Sequence, residues 1–582
     1  MAGHAWRYGS DRWEVASAYQ GAADLARRIG TAPIVAQVLA NRGITDAAAG
    51  KAFLDPKLTD LHSPEMLGGC VEAARRIAAA VARRARIVIY GDYDVDGMAG
   101  VAILHSILRL VGANVRFYVP HRLEEGYGVN AEAVGKLAEE GTDLLITVDC
   151  GISARGPLAA AKAAGMEVIV TDHHSPDEQL PPADVIVHPA IPQGQYPNPQ
   201  LSGAGAAYKL AWQVAVEICG NSRVDEKIRE FLLEATCLAA LGTIADVVPL
   251  VGENRSLAVY GLKGLPHTKH AGLRALLHSA RLDGKKLDAY HVGFLLAPRL
   301  NACGRMGHAQ LAVELLTDAA PERAAKIAAY LAAQNAERQK VERAITAEAA
   351  EMVLAAGLDS AGSKAIVLTS ESWHAGVIGI VASRLVERFN RPTVLIACNG
   401  EGGQGSARSI PGFHMRDALA ACSAPLRGFG GHAMAGGLRI DRRRIEEFTV
   451  MFAEYAGRHV DDSQLEPTLR LDGQVRLSQI DYSIVEHLSR LAPFGQGNPP
   501  PLLAVRGCEV LSAPHRLGRG GGVLSMMLAQ NGVSVRAVGF SMGELAGRLI
   551  GVGSVDVAAQ PVINNYQGRS TIELQLSDVS WA

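Results

Sequence analysis

The sequence predicts an α/β protein: a doubly wound parallel sheet, a long connecting helix, a smaller α/β domain and a C-terminal OB-like β-barrel. Three observations carry this expectation. Between residue 86 and about residue 189, short β-branched runs alternate with helical stretches. From Pro321 to about Ala356, a run rich in Ala, Glu, Lys and Arg contains no internal Gly or Pro. From about Pro467 onward, short alternating strands and turns dominate.

Taken in order, residues 1–80 read as a helical lead-in, with Ala-rich periodic stretches at Ile34–Arg42 and Cys70–Arg84. Strands are expected at Ile87–Tyr90, Val115–Pro120, Leu144–Val148, Val168–Val170 and Val185–His188, separated by helices at Met98–Val111, Asn130–Glu140 and Pro157–Ala164. This is the βαβ rhythm, and with the helical region Gly203 to about Leu316 it makes residues 81–320 one domain. Pro321 stands where a helix can start, and a helix over 321–356 would be roughly 50 Å long at ~1.5 Å per residue. Its apolar positions are mostly Ala and its heptad is poor, so it reads as a strut and not a coiled coil. Residues 357–460 form a second α/β unit, with strands at Ala365–Thr369 and Thr393–Ala397, a helix at Val377–Phe389 and Gly-rich text at 400–405 and 428–437. Residues 461–582 carry the short strands Gly507–Ser512, Gly522–Leu528, Ser534–Phe540 and Thr571–Ser577 of an OB-like domain.

Composition narrows the class. The 582 residues are too many for one core, which splits beyond roughly 250–300 residues. Hydrophobic residues at 48% and charged ones at 20% suit a folded chain and argue against long disorder. A net charge of −2 excludes a histone-like binder while leaving room for a local basic groove. The eight cysteines form no C-x-x-C pair, so a reduced, cytoplasmic protein without structural zinc is expected. The N-terminal residues contain no apolar signal core, and no apolar run reaches the ~20 residues of a membrane helix.

The chemistry gathers at strand ends. Gly91-Asp-Tyr-Asp-Val-Asp-Gly97, Val148-Asp-Cys-Gly151 and Thr171-Asp-His-His174 each follow a β-branched run. In an open parallel sheet, functional groups collect beyond the carboxyl ends of the strands, so the three clusters should meet in one crevice. Crowded carboxylates and imidazoles repel or lose solvation unless a cation compensates them, which makes a divalent metal site the simplest reading. Asp246, inside the apolar segment Gly242-Thr-Ile-Ala-Asp-Val-Val-Pro249, needs a partner for the same reason.

These clusters, with Ala245-Asp-Val-Val-Pro-Leu250, resemble the four motifs of the DHH phosphoesterases. Further text is similar to the RecJ branch of that family, the single-strand-specific 5′→3′ DNA exonucleases: Pro120-His-Arg-Leu-Glu-Glu-Gly-Tyr-Gly128, Pro298-Arg-Leu-Asn-Ala-Cys-Gly-Arg305, Trp373-His-Ala-Gly-Val-Ile-Gly-Ile380 and Gly405-Ser-Ala-Arg-Ser409. Gly430-Gly-His-Ala-Met-Ala-Gly-Gly437 resembles the DHHA1 signature, and Pro493-Phe-Gly-Gln-Gly-Asn-Pro499 the start of the family's OB domain. The resemblance implies Asp94, Asp96, Asp149, His173 and Asp246 as ligands of two Mn²⁺ or Mg²⁺ ions, with Asp92 and His174 beside them in catalytic roles. It places Arg122, Arg305, Ser406 and Arg408 around a terminal 5′-phosphate, where Arg forks and Gly-rich backbone suit an anion. His432 is assigned either to the scissile phosphate or to its own loop's backbone. One position departs: where some members have His before the first Gly, this chain has Tyr90, which leaves one metal either to rely on Asp92 or to bind more weakly.

The function implied is hydrolysis of single-stranded DNA from a 5′ end by a two-metal mechanism, releasing 5′-mononucleotides in DNA repair and recombination. A groove between the two α/β domains too narrow for duplex would explain the strand preference, with Arg516, Arg519, Arg536, Arg569, Phe540 and Tyr566 offering a strand-tracking surface. Single-strand-binding protein and a helicase are further candidate partners, and a monomer with no membrane contact is expected. The alternatives are a DHH-family nanoRNase or other small-nucleotide phosphodiesterase, a catalytically dead DNA-binding scaffold, and an RNA-directed exonuclease.

Overall fold

The computed structural model describes residues 12–120, 128–191, 194–306, 309–518 and 520–581, and for Arg305 and Met306 only the backbone. The chain forms two compact units. One comprises Asp46–Ala336 with Arg490–Pro500; the other comprises the residues up to Thr45, Glu337–Ser489 and Pro501 onward.

The first unit is built on a five-stranded, all-parallel sheet. Its strands are β1 (Arg86–Gly91), β2 (Asn114–Tyr118), β3 (Leu144–Val148), β4 (Glu167–Thr171) and β5 (Val185–Val187), in the order β2-β1-β3-β4-β5. β1 is flanked by β2 and β3, with Tyr90 opposite Tyr118 and Thr147. Alternation along β1 splits its side chains between two cores: Ile87 and Ile89 face one, Val88 and Tyr90 the other. Three helices pack around the carboxyl edge: α1 (Val95–Leu110), α2 (Gly203–Cys219) and α3 (Glu226–Ala245). Small residues let them close in. A Cβ on Gly100 would lie 2.6 Å from Val148 Cγ1, and one on Gly242 2.5 Å from Ala204 Cβ. A π-helical turn, His291–Leu296, runs straight into α4 (Ala297–Met306). Arg255, 1% exposed, donates to the carbonyls of Phe53, Arg490, Ala492 and Pro493, tying the Arg490–Pro500 segment to this unit.

The expected long helix is present as α5 (Pro321–Ala355), 35 residues. In the second unit a mixed sheet combines β6 (Ile366–Ser370), β7 (Thr393–Asn399), β8 (Gly402–Arg408), β9 (Leu426–Gly431) and β10 (Ala435–Asp441), in the order β9-β10-β8-β7-β6. Only the β6–β7 pair is parallel. The helix α6 (Ile378–Phe389) covers one face. The C-terminal strands form an OB-like sheet in which Leu503–Val510 pairs with both Ser554–Tyr566 and Val523–Gln530, so the ladder returns on itself. One element departs from the helical lead-in: Trp13–Val15 is a strand, parallel to Leu469–Leu471. It is anchored by Trp13 Nε1 donating to Asp578 Oδ2 at 2.7 Å, a pairing across 565 residues that no local pattern reveals. The eight cysteines are free thiols. Among the described residues, no helix is long and apolar enough to cross a membrane.

Candidate metal centre

The three strand-end clusters converge beyond the carboxyl edge of β1, β3 and β4, as the parallel sheet requires. Asp92 leaves β1 with its amide on Val148 O at 3.3 Å, and its residue is 2% exposed. Asp94 is the N-cap of α1: its Oδ1 accepts from the amides of Asp96 (2.9 Å) and Gly97 (3.0 Å). Gly97 is required here, because a Cβ would lie 2.8–2.9 Å from Asp92 backbone and side-chain atoms. Asp96, in the first turn of α1, accepts from the amides of Gly203 (2.6 Å) and Ala204 (3.0 Å) at the start of α2.

Asp149 follows β3 with φ +60, a left-handed conformation that Asp tolerates better than most residues. His173 and His174 follow β4, and Asp246 caps the carboxyl end of α3. His173 Nε2 lies 3.0 Å from Asp149 Oδ1, 3.6 Å from Asp246 Oδ2 and 3.8 Å from Asp96 Oδ2. Yet His173 Nε2 and Asp149 Oδ1, both buried, make no hydrogen bond. Acceptor atoms of several side chains are therefore crowded together without donors between them.

The electrostatics say the same. Burial, then the Asp94 carboxylate, push Asp96 up to about 7. Burial and the neighbouring Asp96 and Asp94 push Asp246 up to about 9, and Asp149 is raised well above its usual range by burial and Asp96. Burial and the adjacent His174 hold His173 down to about 4, so its contacts are not ion pairs and its imidazole is neutral. Such a cluster suits a cation that replaces the missing donors. Three overlapping groups bring ligand atoms within 4.8 Å of one another: Asp92, Asp94 and Asp149; Asp96, His173 and Asp246; Asp149, His173 and His174. Mainly carboxylate oxygen with one neutral imidazole fits Mg²⁺ or Mn²⁺.

Asp172 does a different job, one the motif alone does not disclose. Its Oδ1 accepts from the amides of His173 (2.7 Å) and His174 (3.2 Å) and from His174 Nδ1 (2.8 Å), and its Oδ2 from the Ile152 amide (3.0 Å). Burial opposes ionisation, but these donors hold Asp172 down to about 2. Burial also pulls His174 down, but the Asp172 partner outweighs it and raises His174 to about 9. The two histidines are thus different species: His173 a neutral ligand, His174 a cation locked to Asp172. Sequence reading also missed the Gly203 and Ala204 amides and Asn301, whose Oδ1 accepts from the Val95 amide at 3.1 Å. Their signals are a Ser202-Gly-Ala-Gly205 helix start and, for Asn301, its place in the Pro298–Arg305 text, each distant along the chain. Val247, φ +61 and 63% exposed, is a β-branched residue held in a strained conformation directly after Asp246.

Tyr90 is not a donor to this cluster. It is fully buried, its hydroxyl donates to Gly128 O (3.1 Å) and accepts from Asn130 Nδ2 (3.2 Å), and its ring packs on Tyr118. The group formed with Asp94 and Asp149 contains Asp92 instead.

The remaining expected residues divide. Arg122 lies outside the described residues; Arg305 lies in α4, its side chain outside them. In the second unit, Arg408 Nη1 donates to Ser406 Oγ at 3.1 Å beside Gly379 at the start of α6, where a Cβ would come 2.8 Å from Ser406 Oγ. His432 sits in the turn after β9, its amide on Ala435 O at 2.8 Å, and Ala435 pairs with Arg408. Ser406, Arg408 and His432 thus share one sheet region. In the C-terminal domain, Phe540 and Tyr566 are 62% and 69% exposed, whereas Arg536 is engaged by Glu573 at 3.1 Å. Arg519 lies outside the described residues.

Comparisons with known proteins agree along the chain. Residues 86–240 match the DHH family N-terminal domain, 362–458 the DHHA1 domain and 471–578 the RecJ OB domain. The chain is 36% identical to the single-stranded-DNA-specific exonuclease RecJ of Bacillus subtilis (strain 168), across 98% of this chain and 71% of that protein. It is 37% identical to RecJ of Thermus thermophilus, across 91% and 73%. Its structure matches the crystal structure of RecJ from Thermus thermophilus in complex with Mn²⁺ with a TM-score of 0.84 at 33% identity, covering 98% of this chain and 80% of that one. The Mg²⁺ complex matches with a TM-score of 0.77 at 31% identity, covering 98% and 78%.

Proposed function

The chain belongs to the RecJ family, and from that premise we propose that it is a metal-dependent exonuclease that degrades single-stranded DNA from the 5′ end to 5′-mononucleotides. The observation that carries this reading is the crowding of four carboxylates raised or buried around one neutral histidine, a set that needs cations to be stable.

Asp94, Asp96, Asp149, His173 and Asp246 would hold two Mn²⁺ or Mg²⁺ ions, with Asp92 completing the group around Asp94 and Asp149. Bound ions would supply Lewis-acid stabilisation of the attacking and leaving oxygens in an in-line displacement at phosphorus. The protein's part is preorganisation. The Gly203 and Ala204 amides orient Asp96, the α1 amides orient Asp94, and the β4 register orients His173. His174, a third exposed and held as a cation by Asp172, presents positive charge to a phosphate oxygen. Hydrolysis breaks the bond between phosphorus and the 3′-oxygen, leaving a new 5′-phosphate on the shortened strand. Ser406, Arg408 and His432 in the second unit, and Arg122 and Arg305 in the first, are each assigned to phosphates of the strand, as the family resemblance implies.

The intact carboxylate–histidine set argues against an inactive scaffold, and the match through the OB domain argues against a small-nucleotide phosphodiesterase. Single-strand-binding protein and a helicase as partners, a monomeric state, a cytoplasmic location and a role in repair and recombination belong to the same proposal. The test is Mn²⁺-dependent digestion of labelled single strands with and without a 5′-phosphate, beside matched duplex. Mononucleotides released from the 5′ end, with duplex resistant, support the reading. Equal rates on duplex, or release from the 3′ end, refute it.

A further inference from the structure

One surface of the first unit is not used by the centre described above. Tyr290 and Phe294 are each 60% exposed, and their rings stack with centroids 4.9 Å apart and planes 24° apart. Large aromatics left together in water mark contact surfaces more often than accident. Phe294 lies in the π-helical turn His291–Leu296 that leads into α4, and Tyr290 immediately precedes it. Such turns are rare and cluster at functional sites, and here the turn sets the two rings one above the other.

The helix carrying the pair is tied to the metal loop at its other end. Asn301 Oδ1 accepts from the Val95 amide, and Gly304 lies so close to Tyr93 that a Cβ would meet its carbonyl oxygen at 2.6 Å. The opposite side of this helix is core: Val292, Leu296, Leu300 and Cys303 are buried. Tyr290 and Phe294 project from the exposed side, while Asn301, half-buried, faces the Val95 amide. At ~1.5 Å per residue, the rings stand roughly 10–16 Å along the axis from Asn301. A few nucleotides of an extended single strand span that distance.

We propose that Tyr290 and Phe294 form a stacking platform for bases of the bound single strand a few nucleotides from the scissile phosphate, positioning residues for the reaction proposed above, on which this inference rests. Every base offers a π face, so such a platform grips a strand without reading its sequence. Paired bases in a duplex have their faces covered, so the platform also favours unpaired substrate. A nucleobase is favoured over a protein partner because the helix that carries the pair also holds the metal loop, through Asn301 on the Val95 amide and Gly304 against Tyr93.

The test compares 5′-phosphorylated oligothymidylate with the same strand made abasic at the third to sixth positions from the 5′ end. The double variant Tyr290→Ala, Phe294→Ala should raise KM on the intact strand about tenfold, the loss of roughly one stacked base, with kcat retained. On the abasic strand, wild type and variant should coincide, and the conservative Tyr290→Phe should keep the wild-type KM. In a second arm, Phe294→Trp is titrated with oligothymidylate in EDTA, where cleavage is arrested, and its indole fluorescence should be quenched by intact but not abasic strand. An unchanged KM, an equal penalty on both strands, or an unquenched indole overturns the platform. A wild type inactive on single strands overturns the nuclease reading instead, and the quenching arm still decides the platform.

Discussion

Gly203→Ala isolates the geometry of the centre without touching a ligand. A Cβ at this position would lie 2.5 Å from Asp149 Oδ1, 2.7 Å from its Cγ and 2.8 Å from its Cβ. Ordinary van der Waals contact begins at 3.4 Å, so the carboxylate must retreat by about 0.9 Å or α2 must shift by as much. Either movement also disturbs the Gly203 amide that binds Asp96 at 2.6 Å. A misplacement of about 1 Å can cost on the order of 10²-fold in rate. Alanine meanwhile favours helix over glycine by ~1 kcal/mol, so the fold should not weaken in proportion. The expected result is a fall of about a hundredfold in kcat/KM on oligothymidylate and a raised Mn²⁺ requirement, with thermal melting within a few degrees of wild type. Gly156→Ala, on a helix where a Cβ would meet nothing within 4 Å, is the matched control and should be silent. Wild-type rate and Mn²⁺ dependence in Gly203→Ala would show that Asp149 is not held at the point claimed.

Other outcomes follow from the same centre and its surroundings. Asp149→Asn should abolish cleavage and, in EDTA at alkaline pH where the carboxyl is driven to ionise, raise the melting temperature by a few degrees, because it removes a buried charge repelled by Asp96, Asp94, Asp92 and Asp246; a lower melting temperature there would count against that repulsion. Stability in EDTA should also depend on pH. The folded pKa values of Asp96 (about 7) and Asp246 (about 9) lie above the ordinary 3.8, so the folded state holds more protons there, and stability is lost as pH rises from about 4 to 9. Saturating Mn²⁺ should flatten that dependence, and a flat metal-free profile would contradict the reading. Tyr90→Phe removes hydroxyl bonds to Gly128 and Asn130 and should cost ~1–2 kcal/mol in denaturant melts, while leaving Mn²⁺ affinity within twofold of wild type. Arg255→Met strips the donor from four carbonyls and should destabilise the first unit by about 3 kcal/mol or more, visible as early proteolysis near Arg490–Pro500.

What could be read from the sequence, and what could not, divides along one physical line. The strand-end clusters were legible because β-branched runs announce buried parallel strands, and a parallel sheet has one edge where the chain turns to its helices. That suffices to bring Asp92, Asp94, Asp96, Asp149, His173 and His174 together, and the apolar setting of Asp246 marks it as needing a partner. The same logic fails for groups whose role depends on a contact made far along the chain. Nothing near Asp172 distinguishes a ligand from the anchor of His174; only its four donors, one of them the Ile152 amide, make the distinction. The amides of Gly203 and Ala204 reach Asp96 across more than a hundred residues, and Asn301 reaches Val95 across two hundred and six. The strand Trp13–Val15 finds its partner past residue 468. The contacts of Gly203, Ala204, Asn301 and Trp13–Val15 are long-range hydrogen bonds, specified by packing and leaving no periodicity behind. The ligands are therefore the readable part of this centre and their supports the unreadable part, although the supports set the protonation that separates His173 from His174. A variant screen guided by motifs alone would remove ligands and report only loss. Substituting Gly203 or Asp172, which removes no proposed ligand from the chain, asks instead how much of the rate resides in orientation.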